Sequence, residues 1–276
     1  MKDWLEVRRG SETVVVSFPH TGTAIPAEIE AQLVSPWRSR KDTDWWVDEL
    51  YDFAPALGIT TVRTALSRTV IDVNRDPSGK SLYPGTNTTD LCPIATFDNE
   101  SLYLPEMNPD GTEIARRLDR WFTPYHAAIR AELDRLVALH PRAVLYDAHS
   151  IRSRIPHLFD GELPQFNIGT NRGASCSPDL AEAVQAMCLL SGYTVVTNGR
   201  FKGGWITRHH GEPKRNVHAI QMELACRGYL REPGDPLTTE NWPVPLDPVH
   251  AAPLRGALKT VLEACIVFGS TTEGVE

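Results

Sequence analysis

The chain has 276 residues, 41% hydrophobic and 23% charged, with a mean hydropathy of −0.28; that is material for a sizeable core, with no apolar run near the about 18 residues of a membrane span. Its 28 Lys and Arg against 35 Asp and Glu give a formal charge of −7, and the basic residues are scattered. This argues against nucleic acid or a membrane surface as partner and for a small-molecule ligand.

The N-terminal stretch lacks a basic segment followed by an apolar run and a small-residue cleavage site, so the expected location is cytoplasmic. Cys92, Cys176, Cys188, Cys226 and Cys265 are odd in number and widely spaced, as expected of reduced, buried thiols. No repeat interrupts the chain, which reads as one domain over residues 1–268 and a flexible polar tail over residues 269–276.

In chain order, a β-branched run at residues 13–18 predicts a buried strand, followed by helices over 26–34 and 43–53 and strands over 59–63 and 69–73. Residues 78–108 hold several Pro and Asn and no period, the mark of a functional loop and a candidate lid. Leu118, Phe122, Tyr125, Ile129, Leu133 and Leu136 recur at spacings of four and three, predicting an amphipathic helix over 110–140 kinked at Pro124. Strands over 143–146, 193–197 and 217–222 and helices over 178–190 and 252–267 complete the pattern. This alternation predicts a three-layer α/β/α sandwich on a mixed, mostly parallel sheet, with the chemistry at the strand ends.

Polar residues collect at those ends. The first run breaks at Pro19-His20-Thr21-Gly22 and the fourth at Asp147-Ala148-His149-Ser150. A single such histidine is more often structural; two at matching strand ends resemble a metal pair, which a carboxylate would complete. Asp42 reads as a helix cap, whereas Asp44 and Asp48, one helical turn apart, are candidate ligands or first-turn acids. Arg68, Asp72 and Asn74 share a face of the expected strand at 69–73, with Arg75 at its end, a setting for an anionic substrate or for a surface ion pair. Glu223 ends an apolar run, where a carboxylate is costly unless paired, protonated or used as a base. The stretch 198–211 packs Arg200, Lys202, Gly203, Gly204, Arg208, His209 and His210 into one loop. It lacks a phosphate-binding glycine pattern, and the adjacent histidines would diverge on a strand.

The strings around His20, Asp44, 68–75, 146–150, 158–164, 167–171, 198–211 and 221–223 together resemble the N-formylglutamate amidohydrolases, the deformylases of bacterial histidine degradation, over nearly the whole chain. The resemblance implies a phosphorylase/hydrolase-like fold similar to the zinc carboxypeptidases and aspartoacylases. It implies hydrolysis of N-formyl-L-glutamate, a dicarboxylate, to formate and L-glutamate, with one divalent metal ion, zinc. By the same resemblance His20 and His149 are metal ligands, Asn74 and Arg75 bind substrate carboxylate, and Glu223 is the base. The wider group carries a Glu ligand three residues after its first His; Thr23 stands there in this chain. Asp44, at the head of the next helix, is taken instead, with Asp48 the alternative. Arg68, Arg200 and Arg208 are further candidates for the substrate's carboxylates. Other readings are a zinc deacylase for another N-acylated acidic amino acid, or a non-catalytic acidic-amino-acid binding protein that keeps Arg75 but no metal.

Overall fold

A seven-stranded mixed sheet carries the fold in the computed structural model, which describes residues 4–82, 85 and 87–271. The strands are β1 (Leu5–Arg8), β2 (Val14–Phe18), β3 (Thr60–Thr64), β4 (Ala143–Ile151), β5 (Phe166–Gly169), β6 (Val195–Thr197) and β7 (Val217–Ala225), in the spatial order β1-β3-β2-β4-β7-β5-β6. The β2–β3, β2–β4, β4–β7 and β5–β6 pairs are parallel; β1–β3 and β5–β7 are antiparallel. The sheet is therefore mixed and mostly parallel, as the alternation of elements predicts.

Helices lie on both faces. The helices are α1 (Ala27–Glu30), α2 (Val47–Leu50), α3 (Gly111–Arg117), α4 (Thr123–Val137), α5 (Pro178–Leu190), α6 (Trp205–His210) and α7 (Pro248–Ser270). Alternation along each strand separates the two cores. Val14, Val16, Val144, Tyr146, Ile220 and Met222 pack with the apolar sides of α5 and α7. Val15, Leu145 and Ala219 pack under Tyr125, Ile129, Leu133 and Leu136 of α4. All five cysteines are buried and free, and among the described residues no helix is long and apolar enough to cross a membrane.

Several elements differ from the sequence pattern. Residues 69–73 form no strand: Thr69 N–H bonds Ser67 Oγ, Val70 N–H bonds Ser67 O, and Asn74 N–H bonds the Asp72 carboxylate. These local polar bonds replace a ladder, and the β-branched residues enter the core from a turn. The helix expected over 43–53 shrinks to α2 because Trp46 has φ +63°, left-handed backbone that a right-handed helix cannot pass through. The helix expected over 26–34 stops at α1, after which Gln32 and Val34 bond the chain at 102–104. Between α3 and α4 a wide π turn, Leu118–Phe122, precedes Pro124, where a missing N–H loosens the ladder. The 198–211 stretch contains α6 and is not wholly a loop. β1 is a half-exposed edge and β5 a four-residue segment carrying Asn167, both too short to stand out as apolar runs. Helix α7 runs two residues into the expected tail; residues 272–276, and residues 83, 84 and 86 of the candidate lid, lie outside the described residues.

Candidate active site

The adjacent parallel strands β2, β4 and β7 carry their polar residues toward their carboxyl ends. On β4, Ala143 and Leu145 lie in the core and Asp147 and His149 follow on the same face; on β7, Val217 and Ala219 give way to Gln221 and Glu223. The β4–β7 register sets Asp147 opposite Gln221 and His149 opposite Glu223. His20 lies two residues beyond β2, and its carbonyl accepts the Asp44 N–H at 3.0 Å. The left-handed turn at Trp46 follows two residues after Asp44.

His20, Asp44 and His149 converge, with one potential ligand atom from each within 4.8 Å of the others, all buried. Asp44 Oδ2 lies 3.1 Å from His149 Nδ1 and 3.6 Å from His20 Nδ1. The opposite ring nitrogens are each held by another carboxylate: His20 Nε2 by Asp72 at 2.7 Å and His149 Nε2 by Asp147 at 2.9 Å. An imidazole whose Nε2–H is fixed in this way presents Nδ1 as the donor. Among the described residues His20 Nδ1 and Asp44 Oδ1 are buried without hydrogen-bond partners, the latter 3.7 Å from Arg68 Nη1. Asp44, Asp72, Asp147 and Glu223 supply four buried carboxylates beside the buried guanidinium of Arg68. Two oriented imidazoles, a carboxylate with an unmet oxygen and surplus negative charge form a donor set suited to a divalent cation. Asp48 lies elsewhere, 2.6 Å from Arg63.

The ionisation states follow from burial set against partners. Burial opposes charge on Asp44, but His20 and His149 hold it below the ordinary carboxylate range. Burial likewise opposes charge on Asp72, and His20, Arg68 and Arg75 hold it well below that range. For His149 burial is outweighed by Asp147 and Asp44, which raise it well above its ordinary value. Burial pushes Glu223 up to about 8, against the pull of His149. A carboxyl shifted toward neutrality in a cleft is suited to move a proton.

The cavity over these groups, about 570 Å³ including its mouth, is lined by His20, Arg68, Asn74, Arg75, His149, Arg200 and Glu223 among others. Arg68 donates to Asp72 at 2.6 Å and stacks 4.8 Å over Phe97. The Asn74 Oδ1 accepts Ile206 N–H at 2.9 Å, and its Nδ2 lies 3.0 Å from His149 Nε2. Through the N–H it accepts, the amide fixes the start of α6, beside the metal-ligand candidate. A Cβ on Gly204 would come within 2.4 Å of that amide, so this glycine admits it. Arg75 and Arg200 reach the chain at 87–89, Arg75 through Thr89 and Arg200 through Asn87 O at 2.8 Å. Arg208 is not brought in; its Nε donates to Gly203 O. Sequence reasoning did not find the roles of Asp147, Gln221 and residues 87–89. The Asp147–His149 spacing, which sets both on one strand face, was an available signal for the first; the loop residues had none.

A model of the N-formylglutamate amidohydrolase family matches residues 12–230. The N-formylglutamate deformylase of Pseudomonas aeruginosa is 44% identical over 270 residues, covering 98% of each chain. That of Pseudomonas putida is 45% identical over 267 residues, covering 96% of this chain and 97% of its own. The crystal structure of N-formylglutamate amidohydrolase from Ralstonia eutropha JMP134 shares the fold with a TM-score of 0.76 at 23% identity, over 95% of this chain and 97% of that one.

Proposed function

The chain belongs to the N-formylglutamate amidohydrolase family, and from that premise we propose that it hydrolyses N-formyl-L-glutamate to formate and L-glutamate with the help of a divalent metal ion. The observation that supports the metal-assisted reading is the placement of Glu223 opposite His149 in the sheet, beside the cluster of His20, Asp44 and His149.

His20 Nδ1, Asp44 and His149 Nδ1 would hold the ion, and two imidazoles with one carboxylate suit zinc. Such an ion supplies Lewis acidity, polarising a formyl oxygen and making water nucleophilic near neutral pH. Glu223 takes the proton from the attacking water as its oxygen bonds to the formyl carbon. It returns that proton to the amide nitrogen as the C–N bond breaks, leaving formate and the glutamate amine. Asp72 and Asp147 keep the imidazoles turned with Nδ1 inward. Gln221, donating to Glu223 Oε2 at 3.1 Å while its own Oε1 accepts Gly204 N–H, fixes the carboxyl that moves the proton.

Arg75 is a cavity arginine whose hydrogen bonds run to neutral oxygens, which suits it to meet a carboxylate of the glutamyl part, and Arg200 lines the same cavity. Arg68 is largely compensated by Asp72 and Asp44. A protein of net charge −7 needs this local positive cluster to hold a dianion. Formate release from N-formylglutamate, measured on enzyme as purified, after chelation and after return of zinc, tests the reading. Activity lost to the chelator and regained with zinc is expected; full activity in metal-free enzyme overturns the metal assignment.

A further inference from the structure

One edge of the Arg75 side chain is held by Thr89. Its Nε donates to Thr89 O at 3.0 Å and its Nη2 to Thr89 Oγ1 at 2.8 Å. Thr89 sits on a strap pinned at both ends. Two residues downstream, Leu91 is buried and its carbonyl accepts Asp72 N–H at 2.7 Å. Two residues upstream, Asn87 donates to His157 O at 2.8 Å and receives Arg200 Nη2.

We propose that Thr89 is a positioning residue that selects which edge of the Arg75 guanidinium meets the substrate, and so helps set selectivity for a carboxylate-bearing formamide; this rests on the reading of Arg75 as a carboxylate binder. A guanidinium offers two forked edges, Nε with one Nη, and the two Nη together. Thr89 occupies the first; at the second, Nη1 makes a long 3.5 Å contact with Asn74 O, weak enough for a substrate carboxylate to replace. Both Thr89 acceptors are uncharged, so they orient the group without cancelling its charge, whereas Arg68 is matched by Asp72 at 2.6 Å. Among the described residues, the Asp72 carboxylate is the one that approaches Arg75, at 3.8 Å. Orientation of a planar fork matters because the bidentate grip depends on it, in a way that a point charge does not reproduce.

The test compares Thr89→Val, Thr89→Ser, Arg75→Ala and the Thr89→Val/Arg75→Ala double variant, on N-formylglutamate and on its uncharged diamide. Thr89→Val removes the hydroxyl acceptor while keeping the shape. We expect KM for N-formylglutamate to rise roughly 10- to 150-fold, the scale of losing a hydrogen bond to a charged group. Turnover at saturation and metal content are expected to stay within about twofold, with the diamide unaffected. Thr89→Ser should restore KM, and Thr89→Val should add nothing once Arg75 is Ala. If Arg75→Ala discriminates between the substrates while Thr89→Val leaves KM unchanged, Thr89 does not orient it and the proposal is overturned. If Arg75→Ala weakens both substrates equally, the carboxylate reading itself fails and the role of Thr89 falls with it.

Discussion

His149 and Glu223 stand opposite one another in the parallel ladder between β4 and β7, so the candidate metal ligand and the candidate base are set by strand register. A slip of one residue in that pairing would turn one of them into the opposite core. Glu223→Gln keeps the shape and the contact with Gln221 but cannot take up a proton. Its kcat is expected to fall by about 10² to 10⁴ while metal content stays unchanged. Activity within a few-fold of the parent would make Glu223 a structural residue.

The metal cluster makes a second prediction. His20→Ala and His149→Ala each remove a direct donor, and bound metal is expected to drop below roughly one tenth of stoichiometric, since loss of an outer partner alone costs 10- to 100-fold in affinity. Asp44→Asn should lose metal as well. Asp48→Asn should not, because Asp48 pairs with Arg63 outside the cavity. Elemental analysis of the four variants decides the matter, and full occupancy in both histidine variants would remove the cluster as a metal site.

How far the sequence could be read depended on whether a feature is local. Long helices such as α5, whose bounds match the apolar period, and the runs in β2, β4 and β7 were legible because periodicity is a property of neighbouring residues. The histidines at strand ends were legible for the same reason. The segment around Asp72 was not, since its β-branched residues are buried from a turn and their apolar character mimics a strand. The shortening to α2 hinges on the one left-handed residue, Trp46, which carries no glycine to announce it. Contacts across the chain, such as Arg75 with Thr89 or Asp147 with Gln221, depend on three-dimensional closure and leave no spacing to detect.

A buried pair of histidines yields a third prediction. His126 Nε2–H donates to Val73 O at 2.9 Å, leaving its Nδ1 to accept His210 Nε2–H at 2.9 Å. The pair ties α4 and α6 to the residue preceding Asn74. Burial pushes His126 down to about 3 and His210 down to about 2, with His209 and Arg130 facing them as further positive groups and Glu212 near His209 and Arg130. Folded, both stay neutral; unfolded, each takes a proton below its ordinary value near 6.5. The unfolded state therefore binds more protons, and stability falls as pH drops from about 6.5 toward 3, by up to about 1.4 kcal/mol per pH unit for each group. His126→Gln retains a donor for Val73 O and an acceptor for His210 without the titration. Urea unfolding at pH 7 and at pH 4.5 is expected to show a smaller acid loss in the variant, and an equal loss would assign the acid sensitivity to other groups.

The final prediction concerns Arg75 itself. Its Nε lies 3.8 Å from the Asp72 carboxylate, and its direct hydrogen bonds go to oxygens of Thr89 and to Asn74 O, so a positive fork faces a cavity shared with His20 and Glu223. Arg75→Lys preserves charge but replaces the planar fork with a point charge on a flexible stem. If charge alone held the substrate, the substitution would be mild. If a two-bond grip holds it, kcat/KM for N-formylglutamate should fall by an amount equivalent to about 2 to 4 kcal/mol, the scale of leaving one partner of a desolvated charged pair unmet. The uncharged diamide offers no carboxylate to grip, so parent and variant should handle it almost equally poorly. Taking both substrates on both enzymes separates recognition from scaffolding. A parallel loss on the diamide would mean that Arg75 supports Asp72, and through it His20, instead of the substrate.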